Sequence, residues 1–128
     1  MAIQRFEDIE AWQLARRLTK KVYSLTNKKP FSLDYGLRDQ MRRAAGSAMH
    51  NIAEGFDAES NAEFMRFLRY AKRSCSEVQS QLYVAFDEKY IHSSEFEELY
   101  SLAARTRAAI HGFISYLKRY EAQQNTEP

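Results

Sequence analysis

The stretch Ser60–Glu88, SNAEFMRFLRYAKRSCSEVQSQLYVAFDE, decides the fold. Phe64, Phe67, Ala71, Cys75, Val78, Leu82 and Ala85 recur at spacings of three and four, the helical period, and so share one face of a single long helix. Ser60 followed three residues later by Glu63 has the pattern of a capping box, in which the hydroxyl accepts the N–H of the third residue and the carboxylate reaches back. The spacing predicts a helix over 61–88. A helix that is apolar along one face must bury that face, and one this long needs partners of similar length.

Such partners flank it on both sides. Upstream, a helix is predicted over about 33–54 with Leu37, Met41, Ala44, Ala48 and Ile52 facing inward, and Gly55 stands where a helix commonly ends in a left-handed residue. Before it, a helix over about 8–26 carries Ile9, Trp12, Ala15, Leu18, Val22 and Leu25, with Asp8 as its expected N-cap. Downstream, a helix over about 95–121 presents Phe96, Leu99, Ala103, Thr106, Ile110, Phe113, Leu117 and Tyr120, and opens on a second capping box at Ser94 and Glu97. The connections NKKPFS, GFDAES and KYIHSS are short, so sequential helices must run antiparallel. The expected fold is all-α: an up-down-up-down antiparallel four-helix bundle in one domain, residues 1–122, followed by a disordered tail over 123–128. No strand-like alternation and no internal repeat competes with it.

Composition agrees with a single domain. The chain has 128 residues, 45% of them hydrophobic, enough for a core of its own. No apolar run approaches the roughly 20 residues that span a bilayer, and the opening MAIQRFEDIEAW lacks the apolar stretch of a signal peptide, so a cytoplasmic protein without a membrane partner is expected. The single cysteine, Cys75, has no second cysteine to pair with and reads as a core thiol. A net charge of +2 is too small to point to nucleic acid by itself.

The segment RRAAGSAMHNIAEG, residues 42–55, is unusually rich in small residues for a helix interior. Beside the core positions, Gly46, Met49 and Ala53 form an uncharged stripe of their own. Glycine within a helix costs about 1 kcal/mol relative to alanine, which close approach of another backbone would offset. Two readings are open. The neighbour is either another helix of the same chain or a second subunit, in which case out-of-register apolar residues such as Leu14, Val84, Leu102 and Ile114 join the contact.

Most charges follow the helix dipoles, with acids early and bases late. Arg38, Arg42 and Arg43 in the first half of the second helix, and Arg66 and Arg69 in the first half of the third, do not, and are candidates for an external anion. Antiparallel topology puts Arg16, Arg17, Lys20 and Lys21, with Lys28 and Lys29, at the end that holds Arg38, Arg42 and Arg43. Asp87, Glu88, Glu95, Glu97 and Glu98 arrive at the same end, so mutual neutralisation within the bundle is the competing reading.

Catalytic signatures are missing from the sequence. There is no Glu-x-x-His metal motif, no glycine-rich phosphate loop and no Gly-x-Ser-x-Gly; His50, His92 and His111 read as surface residues. No cofactor and no metal is expected. Tyr35, Tyr70, Tyr83 and Tyr116 either stack on bases beside arginines or pack at the bundle margin.

The segments FEDIEAWQLARRL, YGLRDQMRRAAGSAMHNIAEG and SNAEFMRFLRYAKRSCSEVQSQL, with the final amphipathic helix, resemble the four-helix bundle family of intervening-sequence proteins, encoded within 23S ribosomal RNA genes. The family motif falls on Arg42, Arg43, Asn51, Glu54 and Gly55. The resemblance implies a homopentamer with a role in binding RNA. It extends to the accessory variability determinant of diversity-generating retroelements, a basic pentamer that binds a reverse transcriptase and its RNA template. Two departures stand out: Ser47, Ala48 and Met49 replace the family's Ser-Ile-Pro, and Arg73 with Ser74 replaces a Gly-Ser pair.

The sequence thus carries one leading expectation and one alternative. The first is a non-enzymatic, homo-oligomeric accessory protein that binds structured RNA through Arg16, Arg17, Lys20, Lys21, Arg38, Arg42, Arg43, Arg66, Arg69 and Arg73, beside a reverse transcriptase or ribosomal component. The second is a protein-interaction scaffold without direct RNA contact.

Overall fold

The computed structural model describes residues 3–126. Four α-helices account for most of them: α1 (Glu10–Thr26), α2 (Tyr35–Phe56), α3 (Asn61–Asp87) and α4 (Ser93–Thr126), with single 3₁₀ turns at Phe6–Asp8 and Phe31–Leu33. No strand occurs among the described residues. Side-chain pairs fix the antiparallel register. Thr19 Oγ1 donates to the Ala45 carbonyl (3.1 Å) and Arg42 Nε to Thr26 Oγ1 (2.8 Å) between α1 and α2; Ser74 Oγ donates to Ser47 Oγ (3.0 Å) between α2 and α3. Arg107 Nε donates to Ser76 Oγ (3.0 Å) between α3 and α4, and Lys21 meets Glu98 (2.6 Å) between α4 and α1. Each helix touches the next and α4 closes back on α1, which makes the up-down-up-down bundle.

The core forms two clusters. Leu18, Val22, Leu25, Phe31, Met41, Val78, Leu82 and Leu99 fill the end near the α1–α2 connection; Ile9, Trp12, Ile52, Phe64, Leu68, Cys75, Ile110 and Leu117 fill the other. Each large side chain so buried contributes about 1.5–3 kcal/mol. Where the clusters adjoin, Ala15 and Ala48 of one, Ala45 and Ala103 of the other, and Thr106 are all buried and small. They let the helices close in, and this is why a hydroxyl of α1 reaches a main-chain carbonyl of α2 at Ala45.

Helix ends depart from the sequence reading in instructive ways. Ser60 caps α3 as expected, accepting from Glu63 N at 3.1 Å, but the Glu63 carboxylate turns to Arg66. Asp8 does not cap α1. It ends a 3₁₀ turn and accepts from Gln4 N, and Ile9, buried in the core, occupies the N-cap position. Asp34 caps α2 through Leu37 N (3.2 Å), so the helix starts two residues later than expected. The second capping box is not at Ser94 and Glu97: Glu95 reaches back to the His92 N–H at 2.9 Å. α3 ends in a Schellman arrangement, with Tyr90 N bonded to the Ala85 carbonyl and Lys89 N to that of Phe86, and Lys89 rather than a glycine takes the left-handed conformation (φ 62°). α4 continues to Thr126, so residues 123–126 of the expected tail are helical, while 127 and 128 lie outside the described residues.

Two glycines exchange roles. Gly55 is not a left-handed terminator, since no described glycine has positive φ and α2 runs on to Phe56. It is a close-approach residue: a Cβ there would lie 2.8 Å from Phe64 Cδ1 and 2.9 Å from Phe67 Cβ. Gly46 has no such neighbour, its nearest contact being the exposed His50 ring at 3.6 Å. Of the residues expected to form an outer contact with it, Leu14, Leu102 and Ile114 are buried within the chain, each at most 6% exposed, and are corrected to core positions. They face the wide inner arc of their helices, which a narrow heptad stripe understates.

A candidate nucleic-acid interface

Sorting the cations by what they touch separates three surfaces. In the groove between α1 and α4, Arg17, Lys20, Lys21 and Lys28 face Glu95 and Glu98. Lys21 pairs with Glu98 and Lys28 with Glu95 (3.2 Å), so two of the four cations of this expected basic surface are neutralised within the chain. Glu95 is held below the usual carboxylate range first by the His92 N–H and then by Lys28. Arg16 stands apart, over the Trp12 ring at 5.8 Å.

On the face between α1 and α2, Arg42 and Arg43 border a shallow depression with Tyr23, Asp39, Gly46 and His50. Arg42 is latched: Nε donates to Thr26 Oγ1, Nη2 to Asn27 Oδ1 at 3.4 Å, and its guanidinium covers the Tyr23 ring at 4.6 Å. Arg38 donates to Asp39 (2.8 Å) and to the Ser32 carbonyl (3.1 Å), and this hydrogen bond depresses the Asp39 pKa. Arg43 lies toward α3, in a groove with Gln40, Ser47 and Glu77.

The third surface is the groove between α3 and α4, where Arg69, Lys72, Arg73 and Arg107 gather around Ser76 with Glu77 the single carboxylate lining it. Its cations are positioned without being neutralised. Arg107 is held by the Ser76 hydroxyl, and Lys72 Nζ lies 3.1 Å from His111 Nδ1. Sequence reasoning singled out Arg69 and Arg73 but missed Lys72 and Arg107. The signal was available, since Arg107 lies mid-helix where the dipole gives a cation no support, but only the α3–α4 register shows what it stands beside. Arg66, one turn before Arg69 and Tyr70, is paired with Glu63.

The motif residues divide between structure and surface. Asn51 Nδ2 donates to the Ser47 carbonyl (2.8 Å) and to Ser47 Oγ (2.9 Å), extending the clasp with buried Ser74 that joins α2 to α3. Gly55 admits Phe64, while Glu54 is exposed. α2 passes through Ser47, Ala48 and Met49 without interruption, and Arg73 is exposed beside Ser74. Gly46, Met49 and Ala53 are half-buried; Tyr83, Val84 and Phe86 stand out near the end of α3.

No three His, Cys, Asp or Glu side chains among the described residues come together as a metal site, and burial pushes the Cys75 thiol up to about 12, which leaves it protonated and unreactive. No helix among the described residues is long and apolar enough to cross a membrane.

The family model described as 23S rRNA-intervening sequence protein matches residues 7–112. A solved structure of a protein of unknown function from the S23 ribosomal protein family of Bacteroides thetaiotaomicron is similar in fold, with a TM-score of 0.75 at 18% identity over 81% of this chain and 97% of that one. No curated protein matches.

Proposed function

Because the chain belongs to the 23S rRNA-intervening sequence protein family, we propose that it is a non-enzymatic RNA-binding accessory protein that works as a homo-oligomer. The observation that supports RNA binding is the groove between α3 and α4. Four cations from two helices share it with one carboxylate, and the two with close polar partners touch a hydroxyl and an imidazole rather than an acid. That charge is free to neutralise phosphates and release their counterions, with little preference for sequence. Repetition of the groove around an oligomer multiplies the effect. Lys21 and Lys28 are secondary, because each is paired with a carboxylate of the chain, whereas Arg42, held by a hydroxyl, an amide and the Tyr23 ring, keeps its charge and with Arg43 offers a further contact.

Filter binding of a structured ribosomal RNA fragment across a salt series tests the reading. Retention at low salt should fall steeply as salt rises, and Arg69→Gln with Arg107→Gln should lower the logarithmic salt slope by about 2, roughly one per lost phosphate contact, whereas Lys21→Gln should change it little. No retention at low salt, or a slope unmoved by the double substitution in a folded protein, overturns it. The oligomer is tested separately: sedimentation showing only a 15.0 kDa particle at micromolar concentration removes that part.

One observation favours the scaffold alternative. Tyr83, Val84 and Phe86 are 42–51% exposed in one short segment, an apolar surface suited to a protein partner such as a reverse transcriptase or ribosomal component. A complex that survives nuclease and high salt, in a protein with no RNA affinity, would decide for it.

A further inference from the structure

The outer face of α3 places an aromatic ring beside the cationic groove, and this position sets it apart from the other arginine-flanked tyrosines. Arg42 covers Tyr23 with its guanidinium carbon 4.6 Å from the ring centroid, and Arg38 covers Tyr35 at 4.9 Å. Tyr70 is less exposed than either, at 38% against 48% and 61%, but its arginines stand farther off, Arg73 and Arg66 lying over the ring 5.7 and 5.9 Å from the centroid. Phe67 meets it edge-on at 6.1 Å and 89°, which fixes the ring's orientation. Arg73 belongs both to this ring and to the groove with Arg69, Lys72 and Arg107. One helix turn, about 5.4 Å, therefore carries a stacking surface and a phosphate contact side by side.

We propose that Tyr70 and the groove of Arg69, Lys72, Arg73 and Arg107 form a site for an unpaired RNA strand, with a base stacked on the Tyr70 ring and the backbone following the cations. The inference rests on the RNA-binding reading above and narrows it. In a duplex the faces of the bases are stacked on one another, so an open ring adds nothing; in an unpaired strand every base offers a face, and a ring next to a cation row selects for it.

Fluorescence anisotropy with an unstructured oligouridylate of about 16 nucleotides, the upper range of one compact single-strand site, and with the same strand annealed to oligoadenylate, distinguishes the cases. The single strand should bind more tightly than the duplex. Tyr70→Leu should weaken the single strand about tenfold and leave the duplex unchanged, and Tyr70→Phe should restore binding, because the ring and not the hydroxyl stacks. Photocrosslinking of a 5-bromouridine strand to the unsubstituted protein, mapped by mass spectrometry, should place the adduct on Tyr70, a readout independent of any folding defect in the variant. Equal or tighter duplex binding, a folded Tyr70→Leu with full affinity, or adducts confined to other helices overturns the site. If Arg69→Gln and Arg107→Gln still weaken binding in that event, the RNA-binding reading stands without it; if neither probe binds at low salt, both fall.

Discussion

Gly55 and Phe64 meet across the turn between α2 and α3, where a methyl group on Gly55 would come within 2.8 Å of the Phe64 ring and 2.9 Å of Phe67 Cβ. The second of these atoms is anchored to the main chain and cannot swing away. Gly55→Ala gains helix propensity of about 1 kcal/mol but must push α3 outward, and overpacking of this kind costs about 1–3 kcal/mol. The expected outcome is a net loss of stability in urea titration.

Gly46→Ala should do the reverse. The added methyl meets nothing closer than the exposed His50 ring at 3.6 Å, so the helix-propensity gain of about 0.5–1 kcal/mol is unopposed within the chain. Thermal melting at low protein concentration should show the increase. If the same variant associates more weakly in sedimentation, the open space at Gly46 belongs to a subunit contact.

Lys89 terminates α3 with φ 62°, a conformation glycine adopts without penalty. Lys89→Gly should stabilise the protein by about 1 kcal/mol, with helix content unchanged, because it removes strain at the Schellman turn while keeping both of its hydrogen bonds. Circular dichroism melts compare the two proteins; a loss of stability would contradict the assignment.

Glu95 links the start of α4 to Lys28 of the α1–α2 connection, and the His92 N–H is the main reason that its pKa is lowered. A carboxyl more acidic in the folded than in the unfolded state contributes stability that is complete above its unfolded-state value and is lost as the pH falls through the folded-state one. Glu95→Gln should therefore cost about 0.5–1 kcal/mol at neutral pH, as losing a cap contact does, and the difference from the parent protein should shrink toward zero in strong acid. Urea titrations from neutral pH down to strong acid measure it.

Cys75 is fully buried and its thiol is pushed up to about 12, so it should resist alkylation in the folded protein. Iodoacetamide labelling should follow the population of open molecules and rise with urea through the unfolding transition. Rapid labelling in buffer would mean that the α3 core face opens locally.

The helices, their order and most of their inward residues were readable because burying an apolar stripe is a local, periodic demand on the chain, one that Phe64 to Ala85 meets except at Phe67, which is only half-buried. The family was legible for a related reason: Arg42, Arg43, Asn51, Glu54 and Gly55 form a compact pattern within one helix. Cap positions were less so, because several acids and hydroxyls near each helix start compete and the winner depends on the turn geometry, as with Asp34 and Glu95.

What a charge or a small residue is for was settled only by its neighbours across the bundle. Lys21 and Arg69 are both cations at the surface of amphipathic helices, yet one is paired with Glu98 from α4 and the other joins Lys72, Arg73 and Arg107 around a groove with a single acid. Gly46 and Gly55 differ in the same way, as do Leu14, Leu102 and Ile114, which counted as outer residues on a narrow wheel and lie in the core. The physical reason is range. Helix periodicity arises within a few residues of chain, whereas electrostatic compensation and steric contact act across space between segments that the bundle brings together, and no local pattern records which segments those are.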